Sequence, residues 1–345
     1  MFDFYVGGYA RADQPGIRRF SLDPGTGVIR PGTAFTGLED PSWLLHHPAK
    51  PVLYAVEELT PNGRIAALVE TEGGLEQVCS LPSGGADPCH LALSPDGRFL
   101  FCANYSSGSL SVFALDADGI PTGMSDHRQH ALTAQGGVPK RQEAAHVHFS
   151  LCDGAQVFVN DLGLDRTLIY AWDGAAGRLG AIARELAFPA GSGPRHLAMG
   201  AGGRFLYVLC ELTGTVHAFK KDAQGWRGIQ TVSALPEGFD GFAACDRAVG
   251  AAIRVAGGRL YASCRGSDSI AAFDVAGDGT LYARRIVPSG GRTPRDILLL
   301  GDWLIATNQD SDAFTLFRRG ADGVLMPFGA GVEAVRPSCI CVVPT

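Results

Sequence analysis

The sequence predicts an all-β chain folded as a seven-bladed β-propeller, and three observations carry that prediction. The first is self-similarity. Pro88-Cys89-His90-Leu91-Ala92, followed by Gly97-Arg98-Phe99-Leu100-Phe101, returns as Pro194-Arg195-His196-Leu197-Ala198, followed by Gly203-Arg204-Phe205-Leu206-Tyr207. The second is the constant spacing inside each repeat, and the third is a last repeat divided between the two ends of the chain. A period of roughly 40–50 residues built from short apolar runs and Gly/Asp turns is the mark of a propeller or a repeat array.

The repeats start at Pro41, Pro88, Ala145, Pro194, Gly250, Pro294 and Pro337. From the residue after the start to the end of the next apolar run is 15 residues for Ser42–Glu57, Cys89–Asn104, His146–Asp161 and Arg195–Cys210. It is 13 for Ala251–Cys264 and Arg295–Asn308, where the turn is two residues shorter. The next interval is nine residues in every case, as in Asn104–Phe113, Cys264–Phe273 and Asn308–Phe317. Fixed intervals with no helical period indicate one strand–turn–strand unit used repeatedly. Runs such as Leu110-Ser111-Val112-Phe113 suit a pleated surface. The seventh unit has only Arg336–Val343 at the C-terminus. Phe4-Tyr5-Val6-Gly7-Gly8 and Gly16-Ile17-Arg18-Arg19-Phe20 supply its missing strands, so pairing of the two ends closes the last blade and removes an open edge.

Composition narrows the function classes. A chain of 345 residues could hold several domains, but a repeat that cannot bury its own face argues for one domain over 1–345. The 46 Gly and 20 Pro serve the hairpin turns, as in Asp23-Pro24-Gly25-Thr26-Gly27, and no phosphate-loop or dinucleotide fingerprint is found. A net charge of −6 argues against nucleic-acid binding. Without a leader-like start or an 18-residue apolar run, a soluble cytoplasmic protein with no membrane partner is expected, as monomer or weak homodimer. Nine cysteines, several inside apolar strands, suggest free thiols in a reducing compartment, and no paired cluster suggests zinc.

Two neighbouring columns of the repeat are chemically uneven where a structural repeat should be uniform. The first reads Ser42, Cys89, His146, Arg195, Ala251, Arg295 and Ser338. The second reads Glu57, Asn104, Asp161, Cys210, Cys264, Asn308 and Gly8, followed one residue later by Glu58, Tyr105, Leu162, Glu211, Arg265, Gln309 and Tyr9. Polar residues at a channel mouth can be solvated, and Arg–acid pairs can brace blades. The concentration of Arg195, Arg265 and Arg295 nevertheless predicts an anionic small-molecule ligand, because guanidinium offers forked donors to carboxylate or phosphate. His146 and His148 share a strand face at i, i+2 and are the natural proton-transfer groups. The register favours His146, with His148 as the alternative.

At these residues the chain resembles the seven-bladed propeller lactonases. These are the bacterial 6-phosphogluconolactonase type and the related fungal 3-carboxy-cis,cis-muconate lactonizing enzymes. The matching segments are Pro88-x-His90 with Ser94-Pro95-Asp96-Gly97-Arg98, Asp161-Leu162-Gly163-x-Asp165-Arg166, Gly193-Pro194-Arg195-His196-Leu197, Glu211, Arg265-Gly266-Ser267-Asp268-Ser269, Thr293-Pro294-Arg295-Asp296 and Asn308-Gln309-Asp310-Ser311-Asp312. The resemblance implies a lactone hydrolase without metal or other cofactor. It places His146 (or His148), Arg195, Glu211 and Arg265 as catalytic residues.

On that reading the imidazole activates water, the two arginines hold the anionic group and the developing oxyanion, and Glu211 orients the water or the histidine. Asp161, Arg295, Asn308, Gln309, Glu58 and His148 are expected to bind phosphate or sugar hydroxyls. A muconate-type cycloisomerase, a metal-dependent gluconolactonase and a non-enzymatic scaffold are the alternatives. The chain departs from the family pattern at Ala251-Ala252-Ile253-Arg254-Val255, where relatives tend to carry an acid and a His. Arg254 is expected either to favour a more anionic ligand or to pair with Asp246.

Overall fold

The structure, a computed structural model, describes residues 1–132, 136–242 and 248–344. These form seven four-stranded antiparallel sheets, the blades of a seven-bladed β-propeller. Six blades are continuous in sequence: 44–82, 88–129, 147–187, 194–233, 250–288 and 294–333. The seventh has the order Pro337–Val342, Phe2–Gly8, Ile17–Leu22, Ile29–Phe35, so the split blade expected from the sequence is present. Val343 N donates to Asp3 O at 2.9 Å where the two chain ends lie side by side.

The strands differ in burial by their place in the blade. Second strands such as Phe99–Asn104, Phe205–Cys210 and Trp303–Asn308 are buried along their whole length, and they read as unbroken apolar runs. Fourth strands such as Arg178–Ala187 and Leu325–Glu333 are mostly exposed. A strand covered on both faces must be apolar throughout, whereas a strand at the rim has little to cover it.

The chain divides into two compact units. One consists of Leu22–Ile29 and Gly191–Cys339 with Met1. The other consists of Phe2–Ser21, Arg30–Ala190 and the residues from Ile340 onward. In the first unit a core cluster runs from Phe205, Tyr207 and Leu209 to Ile253, Leu260 and Phe273. In the second, Phe101, Ala103 and Val112 pack with Val157, Val159 and Tyr170. Burying one such side chain stabilises the fold by about 1.5–3 kcal/mol.

Turn glycines make this packing possible. Gly279 has φ +92°, and a Cβ there would collide with the ring of Phe205; Gly177, at φ +66°, stands in the same relation to Phe99. Both the backbone conformation and the close approach exclude a larger residue. The Asp23–Gly27 turn is seated in the same manner, with Trp303 Nε1 donating to Pro24 O at 2.9 Å. The eight cysteines among the described residues are free thiols, and all but Cys79 are buried.

Candidate active site

In five blades the first strand carries a bulge at the same place. Pro88 pairs with Asn104 and His90 with Ala103, which leaves Cys89 unopposed. By the same count Arg195 is the extra residue between Pro194–Cys210 and His196–Leu209, and Arg295 between Pro294–Asn308 and Asp296–Thr307. A two-against-one bulge re-aims the inserted side chain.

In the third blade Val147 pairs with Asp161 and Phe149 with Asn160, so the inserted residue is His148. This corrects the register expected for His146. The hairpin after Val147–Asp153 turns in two residues, 154–155, as it does at 301–302, whereas the second blade uses five, 94–98. The true interval is therefore the short one, from His148 to Asp161, and the 15-residue match of His146 was a coincidence of length.

The first unit holds a buried cluster of two arginines and one glutamate. Arg195 Nε and Arg265 Nη2 both donate to Glu211 Oε2, at 3.1 and 2.5 Å. Arg195 Nη1 also donates to Ala251 O at 2.6 Å and lies 2.9 Å from His196 Nε2, while Arg265 Nη2 reaches Gly250 O at 3.0 Å. Glu211 and Arg265 each stand one residue past the end of a second strand. Backbone bonds hold both places, Glu211 N to Gly193 O and Arg265 N to Val249 O, each at 2.6 Å. All three side chains are buried. Guanidinium groups in a dry place offer charge-assisted donors, which are stronger there than in water.

The remaining predicted residues of this unit do other things. Asn308 is buried, and its Nδ2 donates to Thr315 Oγ1 at 3.0 Å and to Ser289 O at 3.4 Å. Asn104 makes the equivalent contacts with Ser111 and Ser83 in the second blade, so Asn308 braces its blade. Gln309 is partly exposed, and its amide is 3.5 Å from Asp310. Arg295 is half-buried on its bulge. Arg254 Nη2 pairs with Asp296 Oδ1 at 2.7 Å, and Asp246 lies outside the described residues.

In the second unit, His148 is buried with its Nδ1 3.8 Å from Cys89 Sγ, and Tyr105 meets it edge-on at 5.5 Å. His146 stacks on the same Tyr105 ring at 4.4 Å. Its Nδ1 faces Tyr105 O and its Nε2 faces Glu143 Oε1, both at 3.1 Å. Asp161, expected to touch a ligand, has no exposed surface, and both its oxygens are occupied within the fold. Glu58 accepts from Tyr9 at 2.8 Å and from the hydroxyl of Ser42. Among the described residues no group of three or more His, Cys, Asp or Glu side chains could hold a metal ion.

The sequence reading missed Tyr105, Glu143, His130 and Tyr170. Tyr105 stood in the column that supplied Glu58, Glu211 and Arg265, so its place was visible while its contact with both histidines was not. Glu143 precedes the strand and carried no repeat signal.

A family model described as a seven-bladed β-propeller lactonase matches residues 3–342. The 6-phosphogluconolactonase of Bacillus subtilis is 30% identical over 349 residues, covering 97% of each chain. An uncharacterized protein of Staphylococcus saprophyticus is 32% identical over 328 residues, covering 91% of each. Among solved structures, a putative 6-phosphogluconolactonase from Bacteroides uniformis superimposes with a TM-score of 0.89 at 30% identity, covering 99% of each chain. A periplasmic gluconolactonase of Pseudomonas aeruginosa does so with a TM-score of 0.88 at 30% identity and the same coverage.

Proposed function

Because this chain belongs to the seven-bladed β-propeller lactonase family and is a lactone-hydrolysing enzyme, we propose that its substrate is an anionic sugar-acid lactone, 6-phosphoglucono-δ-lactone first. The observation that carries the reading is the buried pair Arg195 and Arg265 on a single oxygen of Glu211. Such a cluster gathers two guanidiniums, whose forked donors match carboxylate and phosphate. It suits a ligand that brings its own negative charge.

In the proposed reaction His148 is the general base. It takes a proton from water as the water oxygen bonds to the lactone carbonyl carbon. The carbonyl oxygen becomes an oxyanion, a charge that preorganised hydrogen-bond donors stabilise. Collapse breaks the ring C–O bond, and the imidazolium returns its proton to the departing ring oxygen. A base of this kind contributes about 10²–10⁴-fold in rate. His148 replaces His146 in this role because the bulge gives it the strand position of Arg195 and Arg295 in their own repeats.

The test is a panel of phosphorylated and unphosphorylated lactones, with and without chelator, after subtraction of spontaneous hydrolysis. The proposal expects the phosphorylated δ-lactone to give the highest kcat/KM and the chelator to change nothing. Preference for the uncharged gluconolactone would favour a second reading, to which the likeness to the Pseudomonas gluconolactonase points. Loss of activity on chelation would overturn the arginine-based mechanism.

A further inference from the structure

The segment that delivers His148 is tied down by a buried chain of polar groups to which the proposed reaction gives no part. Asp161 spends Oδ1 on the backbone N–H groups of His146 and Leu164, at 2.8 and 3.1 Å. Its Oδ2 lies 2.7 Å from His130 Nδ1, and His130 Nε2 lies 2.9 Å from the hydroxyl of Tyr170. All three side chains are buried. They thus link the entry to the first strand of the blade, the turn after its second strand, and its third strand.

Two other blades do the same bracing with neutral groups. Asn104 and Asn308, at the end of their second strands, donate to Ser83 O and Ser289 O. His130 stands where those serines stand: Ser83 N donates to Gly63 O, His130 N to Gly108 O and Ser289 N to Asp268 O. An amide on a carbonyl is therefore enough to brace a blade. Burying a carboxylate instead is costly unless several donors satisfy it, and here three do. What distinguishes this blade is the residue on its bulge: Val147 pairs with Asp161, and the next residue out is the imidazole of His148.

We propose that Asp161, His130 and Tyr170 form a positioning chain that fixes the His148 bulge and lends the imidazole a nearby negative charge; the proposal rests on His148 being the base. His148 lies two residues along the strand from the N–H that Asp161 holds, about 7 Å of extended chain. A buried charge on the neighbouring strand position is screened little by salt. The groups against it include Cys89 from the neighbouring blade and Tyr105 from the turn after Phe99–Asn104, and His146 stacks on the same Tyr105 ring. At the far end of the chain, burial pushes the Tyr170 phenol up to about 12, with Asp161 and Glu185 adding to the rise and Arg128 opposing it. The phenol thus keeps its proton and can donate it to His130.

The experiment measures kcat, KM and the pH profile of the full-length protein on whichever lactone of the panel it turns over. Asp161→Asn keeps size and shape but removes the charge. Its kcat is expected to fall about 10- to 100-fold with KM little changed, as for a displaced catalytic group. The acidic limb of its kcat/KM profile is expected to move to lower pH, because the imidazolium loses a stabilising anion. Tyr170→Phe, which removes one hydroxyl and threatens the fold least, is expected to lower kcat about 3- to 10-fold.

A folded Asp161→Asn variant with an unmoved acidic limb would show a brace and nothing more, and would overturn the proposal. Should Asp161→Asn not fold, Tyr170→Phe decides, and wild-type kcat there overturns it. His148→Gln separates the two failures. If it keeps turnover, the base assignment is wrong; if it abolishes turnover while Asp161→Asn is silent, only the positioning chain fails.

Discussion

The thiol of Cys89 and the Nδ1 of His148 lie 3.8 Å apart, each on the bulge of its own first strand. Two residues that are 59 positions apart in the chain are neighbours because adjacent repeats place the same irregularity at the same height. In the other unit Arg195 and Arg295 stand on bulges, and the third bulge there carries Ala251 and Ala252. The bulge, rather than a shared motif, is what Cys89, His148, Arg195 and Arg295 have in common.

The two histidines should respond differently to replacement. His148→Gln is expected to lower kcat by about 10²–10⁴-fold, the usual contribution of a general base. His146→Gln should cost much less, since the ring of His146 is committed to Tyr105 and Glu143. Cys89→Ala, which removes a weak contact with the His148 ring, should lower kcat by about 2- to 12-fold, the equivalent of one modest hydrogen bond. Steady-state kinetics on folded variants checks all three, and wild-type turnover by His148→Gln would sink the assignment.

Arg195→Ala removes a charge-assisted contact worth about 1.5–3 kcal/mol. The expected loss in kcat/KM is about 10- to 150-fold on an anionic lactone. On an uncharged lactone the loss should be smaller. Equal losses on both would mean that Arg195 supports the fold or the oxyanion, and not the anion of the substrate.

Glu211 tests the electrostatics from the other side. Glu211→Gln removes the carboxylate charge that two buried guanidiniums share, and breaking a buried pair in this manner costs about 3–5 kcal/mol. Inorganic phosphate should restore part of that stability, because it can stand in for the missing carboxylate. Thermal melts with and without phosphate measure it; a variant as stable as wild type would show that the cluster is not electrostatically strained.

His217 sets a pH dependence of stability. The ring is buried between the hydroxyls of Thr215 and Thr231, at 3.2 and 3.1 Å, and burial lowers its pKa from 6.5 to about 4. In the window from about 4 to 6.5 the unfolded chain binds a proton that the folded chain refuses. Stability contributed here is complete above pH 6.5 and is lost as the pH falls towards 4. Denaturant midpoints of wild type and His217→Gln across this range should converge at low pH, and parallel curves would refute the assignment.

Deletion of residues 1–8 should abolish cooperative folding. It removes the strand between Pro337–Val342 and Ile17–Leu22, and with it the buried Phe4, Tyr5 and Val6. A truncated chain that melts like the full one would contradict the closed seventh blade.

Much of this architecture was legible in the chain alone, for a physical reason. Each blade repeats one pattern of burial, so the apolar run Phe205–Cys210 and the turn at Gly279 announce themselves wherever they recur, and the two chain ends visibly complete one unit. That Arg195, Glu211 and Arg265 come together was also legible, because equivalent columns of the repeat hold them at equivalent places. The tertiary structure decided what depends on pairing and on partners. Whether a hairpin turns in two residues or in five moves every side chain before it, and that alone put His148 rather than His146 on the bulge. Asp161 and Asn308 looked like ligand contacts until their hydrogen bonds were seen to end inside the protein. The chemistry of a side chain is written in the sequence, but the direction in which it points is settled by the strand opposite.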